Sequence, residues 1–361
     1  MFVAWRDLRF AKGRFALMGT VIVMITLLVG LLSGLTAGLG RENTSAVTGL
    51  PADHLAFSAP AGGQDISFTD SRIDQNTWKQ WARQPGVESA QPLGIAMTKA
   101  QAGSTTTSLS AFGVQSGSSL APDSSDLEDG TVVMSTKAAD ELRVKAGDTF
   151  TLGGHKVTIA AVSGGAMYSH TPVVWTSLGD WQQLGAPAGG RGEQATVVAL
   201  STTSGADLSA ADQKLDTKTV GSDDALQAIG SFTAENGSLQ LMRGFLFAIS
   251  ALVVGAFFTV WTIQRSGDVA VLKALGAPTR YLLKDALGQA MILLVLGTGT
   301  GTVIAAGIGA AVGGSAVPFV LDAATVLVPM AVMIALGVLG AALSIRRITS
   351  VDPLTALGSA R

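Results

Sequence analysis

Residues 15–40 read FALMGTVIVMITLLVGLLSGLTAGLG, without one Asp, Glu, Lys or Arg. A helix of about 20 apolar residues crosses a hydrocarbon core of about 30 Å at 1.5 Å per residue. This run is long enough to do so. Three later runs share its character: 244–264, 286–321 and 323–345. The third is too long for one straight span, and Gly313, Gly314 and Pro318 place its end near residue 312. The reading is four transmembrane helices, 15–40, 244–264, 286–312 and 324–345, with an outer loop at 313–323. A signal peptide's apolar core runs about 7–15 residues, so the first run is predicted to be an uncleaved anchor.

Composition agrees with a membrane protein. Only 14% of the 361 residues are charged and the mean hydropathy is +0.42, whereas soluble proteins carry about 25% charged residues. That balance excludes a disordered chain, collagen and a coiled coil. A net charge of −2 offers nucleic acid no overall attraction. With no cysteine, disulfide frameworks, thiolate metal sites and Cys nucleophiles are all absent.

Lys and Arg orient the spans. Segment 1–14 carries Arg6, Arg9, Lys12 and Arg14; segment 265–285 carries Arg265, Lys273, Arg280 and Lys284; tail 346–361 carries Arg346, Arg347 and Arg361. Four spans put these three basic segments on one side, so both termini are expected in the cytoplasm of a plasma-membrane protein. Residues 41–243 hold 13 basic and 21 acidic residues, a balance of −8, and are expected outside.

That outer segment reads as an α+β domain. Residues 131–135 (TVVMS) form a short apolar strand, and 136–143 a helix with Ser135 or Thr136 as N-cap. Residues 149–152 and 156–162 alternate around Gly153-Gly154, a hairpin signal. Strands are expected at 104–114, 173–176 and 194–200, helices at 74–83 and 178–184, and a loop at 116–130. Trp78 and Trp81 read as core. Residues 222–243 read as one helix feeding the second span, weakened by Gly230 and Gly237.

Several chemistries are missing. No Gly-Lys dipeptide occurs, so there is no phosphate-binding Walker loop. His54, His155 and His170 lack metal-site spacing, and no GxSxG elbow is present. GTGTG at 297–301 lies inside a span and reads as small-residue helix packing. Spans one, two and four hold no ionisable residue between their ends, which disfavours proton- or ion-coupled transport. The chain is read as a non-enzyme that borrows its energy from a partner.

The segment after span two reads RSGDVAVLKALGAPTR, residues 265–280. Asp268 to Leu275 suits a short amphipathic helix ended by Gly276, with Pro278 opening the next helix. This stretch resembles the cytoplasmic loop of the FtsX/MacB family of ABC-transporter permeases. Ala4-Trp-Arg-Asp-Leu-Arg9 is similar to that family's N-terminal interfacial helix, and Arg346-Arg347 followed by Asp352-Pro353 and Ala356-Leu357 is similar to its C-terminal ending. The order of one span, a large outer domain and three spans matches too. Asp268 stands where the family commonly has Glu. The resemblance implies a homodimer beside separate cytoplasmic ATPase subunits, with Asp268, Val271, Leu272, Lys273, Leu275, Gly276 and Arg280 as the coupling contact. Motion would pass through the spans to the outer domain.

Tyr168-Ser-His-Thr-Pro-Val-Val-Trp175 and Ser177-Leu-Gly-Asp-Trp-Gln-Gln-Leu184 look like the outer-domain segment of HrtB-type heme-exporter permeases; glycolipid-exporter permeases carry similar segments. The resemblance implies heme as substrate, with no intrinsic cofactor or metal. Glycolipid, lipoprotein or peptide export, or FtsX-like control of a cell-wall hydrolase, are the alternatives. Heme needs an axial ligand and cations for its propionates. The candidates are Tyr168, His170, Met167, Glu235 and Met242 for iron, and Arg41 and Arg243 for propionates. The bland readings are a core Tyr, an ordinary hydrogen-bonded His and Arg side chains snorkelling at the interface. Gly30, Gly34 and Gly38 share one face of span one, suited to a dimer seam, a flat slot for a planar ligand, or ordinary helix packing.

Overall fold

The computed structural model describes residues 12–185, 193–264, 267, 271–273, 275–313 and 317–349. Residues 1–11 of the interfacial segment read at 1–14, Asp268, Gly314 and the tail from residue 350 lie outside the described residues. The chain divides into two compact units, residues 39–237 and the remainder.

The second of these units is built of helices: α1 (Lys12–Thr48) as far as Gly38, α6 (Gly230–Gln264) from Ser238, α7 (Thr279–Val312) and α8 (Ala323–Thr349). Each is long and apolar enough to cross a membrane. The helix of span one runs to Thr48, past the Gly40 where the apolar run stops. The helix of span two opens at Gly230, so Gly230 begins it instead of weakening it, and Gly237 lies inside; residues 224–228 form a separate 3-10 turn. Asp322 caps α8 through the Thr325 amide at 2.7 Å.

The apolar core of this unit gathers Phe15, Met18, Ile22, Val254, Phe258, Trp261, Leu293 and Leu294. Phe15 and Phe258 both meet Trp261 edge-on, at 6.4 and 6.1 Å. The glycine face of span one is filled from within the chain. A Cβ on Gly30 would meet the Ala305 methyl, one on Gly34 the Phe319 ring, and one on Gly38 the Pro318 carbonyl. Gly297 faces Ile22, and Gly301 faces Val23 and Thr26. The flat-slot reading is therefore corrected: small residues serve close approach inside one chain.

Residues 39–237 form an α+β domain on a ten-stranded sheet ordered β12-β1-β11-β3-β4-β9-β5-β7-β6, with β8 paired to β9. The strands are β1 (His54–Ser58), β3 (Val87–Ala102), β4 (Thr105–Val114), β5 (Thr131–Met134), β6 (Thr149–Leu152), β7 (His155–Val162), β8 (Met167–Tyr168), β9 (Thr171–Ser177), β11 (Val197–Thr202) and β12 (Thr217–Gly221). Strand β6 also pairs with β3, Ala100 opposite Leu152. The run β3-β4-β9-β5-β7-β6 thus closes on itself as a small barrel. Separate strands β2 (Ile73–Asp74) and β10 (Gln194–Ala195) pair with each other, so the expected single strand at 194–200 is two.

Both faces of the sheet are covered. Val198, Leu200, Val132, Met134 and Val174 enter one core, while Val197, Ala199, Val133, Val173 and Trp175 enter the other. Strands buried on two faces read as continuous apolar runs, which explains TVVMS and VVAL. Gly153 and Gly154, with φ of 54° and 90°, turn the β6–β7 hairpin. Ser135 caps α3 (Thr136–Leu142) by accepting from the Ala138 amide. Helix α2 (Gln75–Trp81) buries Trp78 and Trp81. Helix α5 (Leu208–Leu215) buries Ala211 and Leu215.

Helix α4 (Leu178–Gly185) lays Trp181 across Gly94 and Gly113, where either Cβ would overlap the side chain. Gly113→Val is expected to displace Trp181, 2% exposed, at an overpacking cost of about 1–3 kcal/mol. Thermal unfolding of the full chain should show the loss; an unchanged midpoint would contradict this packing.

Candidate functional site: a polar cluster at the helix-bearing end of the outer domain

Strands β8 and β9 pair Tyr168 with Thr171, which leaves Ser169-His170 as a two-residue turn. Both have positive φ, 49° and 61°. This turn geometry normally takes Asn-Gly, and the left-handed conformation costs an L-residue roughly 1–2 kcal/mol. What holds it is on the neighbouring helices. The Ser169 amide donates to the Asn43 carbonyl at 3.0 Å, and the His170 amide to the Glu42 carbonyl at 3.2 Å.

Side chains extend the contact. His170 Nε2 lies 2.9 Å from Glu235 Oε2 and 3.1 Å from the Asn43 amide. Ser231 Oγ donates to Asn43 Oδ1 at 2.6 Å and lies 2.8 Å from Ser169 Oγ. Glu42 pairs with Lys137 of α3 at 2.5 Å, and its other oxygen is 3.9 Å from His170 Nδ1. One hairpin thus ties residues 42–43 of α1 to residues 231–235 of α6. Asn43 is buried, while Glu235 keeps a 45% exposed side chain.

Of the sequence candidates, His170 and Glu235 come together. Tyr168 does not join them. It is buried, its ring set edge-on against Phe68 and Phe112, and burial pushes its phenol pKa up. A ligating phenolate is disfavoured twice, by access and by desolvation, so the core-Tyr reading replaces the ligand reading. Met167 is likewise buried. Arg41 is exposed on α1. In the other unit, Met242 is exposed and Arg243 lies over the Phe247 ring at 5.8 Å. Asn43, Lys137, Ser169 and Ser231 went unread in the sequence; a lone Asn just beyond an apolar span was the only local hint. Among the described residues, no group of three or more His, Asp or Glu could hold a metal ion.

The second feature lies between α6 and α7. The Leu275 amide donates to the Val271 carbonyl, the Gly276 amide to Lys273 and the Ala277 amide to Leu272, at 2.9–3.0 Å. Gly276 has φ of 91°, the left-handed stop of a helix end, and Pro278 is the N-cap of α7. Val271, Leu272 and Leu275 are all exposed, Leu275 by 79%. Arg280 is exposed too.

Comparison with known proteins gives two family matches. Residues 17–218, more than half of the chain, match the MacB-like periplasmic core domain, and residues 241–353 match the FtsX-like permease C-terminal domain. A putative hemin transport system permease protein HrtB of Staphylococcus haemolyticus is 26% identical over 363 residues, covering 99% of both chains. An uncharacterized ABC transporter permease of Mycobacterium tuberculosis is 26% identical over 370 residues, again covering 99% of each. Among solved structures, the periplasmic region of MacB from Actinobacillus actinomycetemcomitans aligns with 51% of this chain and 95% of its own, at 13% identity and a TM-score of 0.34.

Proposed function

The chain belongs to the MacB/FtsX family of ABC-transporter permeases, and from that premise we propose that it is the membrane subunit of an exporter for hemin or a closely similar amphiphile. It is a multi-pass membrane protein. It carries no phosphate-binding loop of its own, so a separate cytoplasmic ATPase supplies the energy. That ATPase docks on the exposed Val271, Leu272 and Leu275 face, two copies of the chain pair, and both termini are cytoplasmic by the Lys/Arg bias.

The observation that carries the substrate reading is the full-length likeness to permeases named for hemin transport. The chain's own chemistry supports it. The spans offer no charged central path, which suits a substrate that travels in lipid. In the outer domain His170 and Glu235, 2.9 Å apart, are the pair proposed for iron; Met242 is a separate candidate in the other unit. Arg41 in the outer domain and Arg243 in the other unit are the separate candidates for a carboxylate.

The experiment is a hemin titration of the purified full chain in one detergent. Near-stoichiometric binding with a shifted Soret band is expected. Arg41→Ala should weaken it by about 1.5–3 kcal/mol, the worth of a charge-assisted contact. Glu235→Gln and Met242→Leu should move the band if they bind iron, whereas Tyr168→Phe should not. A spectrum identical to hemin in detergent alone removes the hemin reading and leaves the permease assignment standing.

A further inference from the structure

We propose that the Ser169-His170 turn is a releasable clasp on the two helices that run from the outer domain into the membrane spans, opening without unfolding the barrel beneath it. The permease reading enters only in what the clasp would serve, the passage of motion from helix to domain.

Three observations point there. First, the turn places two successive non-glycine residues in the left-handed region, φ 49° and 61°. Such strain persists only where surroundings enforce it, and it favours two-state elements. Second, what enforces it is polar and sits at the edge of the domain. The ties are two backbone amides on helix carbonyls, the Ser169–Ser231, Ser231–Asn43, His170–Asn43 and His170–Glu235 contacts, and Ser45 Oγ, which accepts from the Met167 amide and donates to its carbonyl. Water can replace each of these partners once the turn lifts, so opening leaves no stranded donor. The apolar anchors, Tyr168 below and Trp175 beyond, stay in the core. Third, the clasp holds parts of exactly the two helices, Lys12–Thr48 and Gly230–Gln264, that continue without a break into spans. A relative shift of these helices must break the clasp or carry the hairpin with it. Glu42, Glu235 and Lys137 are the charged groups at the contact.

Hydrogen exchange on the full chain is the test. The Ser169 and His170 amides, bonded to the Asn43 and Glu42 carbonyls, should exchange at least tenfold faster than those of 174–176. Ser231→Ala with Glu235→Ala should accelerate Ser169 and His170 at least fivefold more and leave 174–176 unchanged. Equal protection at the two places, or acceleration at both, would overturn the proposal, since the hairpin would then move only with the whole domain. The measurement uses neither hemin nor an ATPase, so its outcome is separate from the transport reading.

Discussion

Leu275→Asp is expected to leave the permease folded and inserted while stripping it of its ATPase. Leu275 is 79% exposed beside Val271 and Leu272, so the substitution disturbs no packing among the described residues. In a complex, the same side chain would carry a carboxylate into an apolar groove, at a cost of several kcal/mol. At 1.4 kcal/mol per tenfold, that is a loss of roughly a hundredfold or more in affinity. Leu272→Asp should behave alike, while Arg280→Ala, at the edge of the segment, should lose far less. Co-purification and stimulated ATP hydrolysis are the measurements. Wild-type values for both in the Leu275 variant would mean that the ATPase docks elsewhere.

Gly34→Val should strongly destabilise the packing of the first membrane helix. Its Cβ would enter the Phe319 ring, and the Gly34 carbonyl already accepts from the Val320 amide at 3.1 Å, so neither side can retreat freely. Overpacking of this kind costs about 1–3 kcal/mol and often more. The double variant with Phe319→Ala should recover much of that loss, because residues in contact couple. Thermal unfolding in detergent reads both. A ligand slot on this face would give the opposite pattern, with unchanged stability and lost hemin binding.

How much of this was legible in sequence depends on how far apart the partners lie. The four spans, their order and the large domain between the first two follow from runs of uncharged residues, a property of each segment alone. The Gly153-Gly154 hairpin and the Ser135 cap are equally local, since a turn needing positive φ or an unpaired helix amide names its residue within a few positions. The segment between α6 and α7 belongs here too, because Gly276 and Pro278 punctuate it from inside.

Tertiary structure alone decided the rest. Long strand β3 mixes polar and apolar residues because its neighbours change along its length, from β11 to β4 and β6, so no single period marks it. Tyr168 and His170 are two residues apart, which in an unbroken strand would put them on one face; instead Tyr168 ends β8 in an aromatic core and His170 sits in the left-handed turn beyond it, which carries its side chain onto two helices. The clasp joins Asn43 to His170 across 127 positions, Asn43 to Ser231 across 188 and His170 to Glu235 across 65. Hydrogen bonds between side chains so distant leave no local pattern. Only the closing of the sheet brings them within reach.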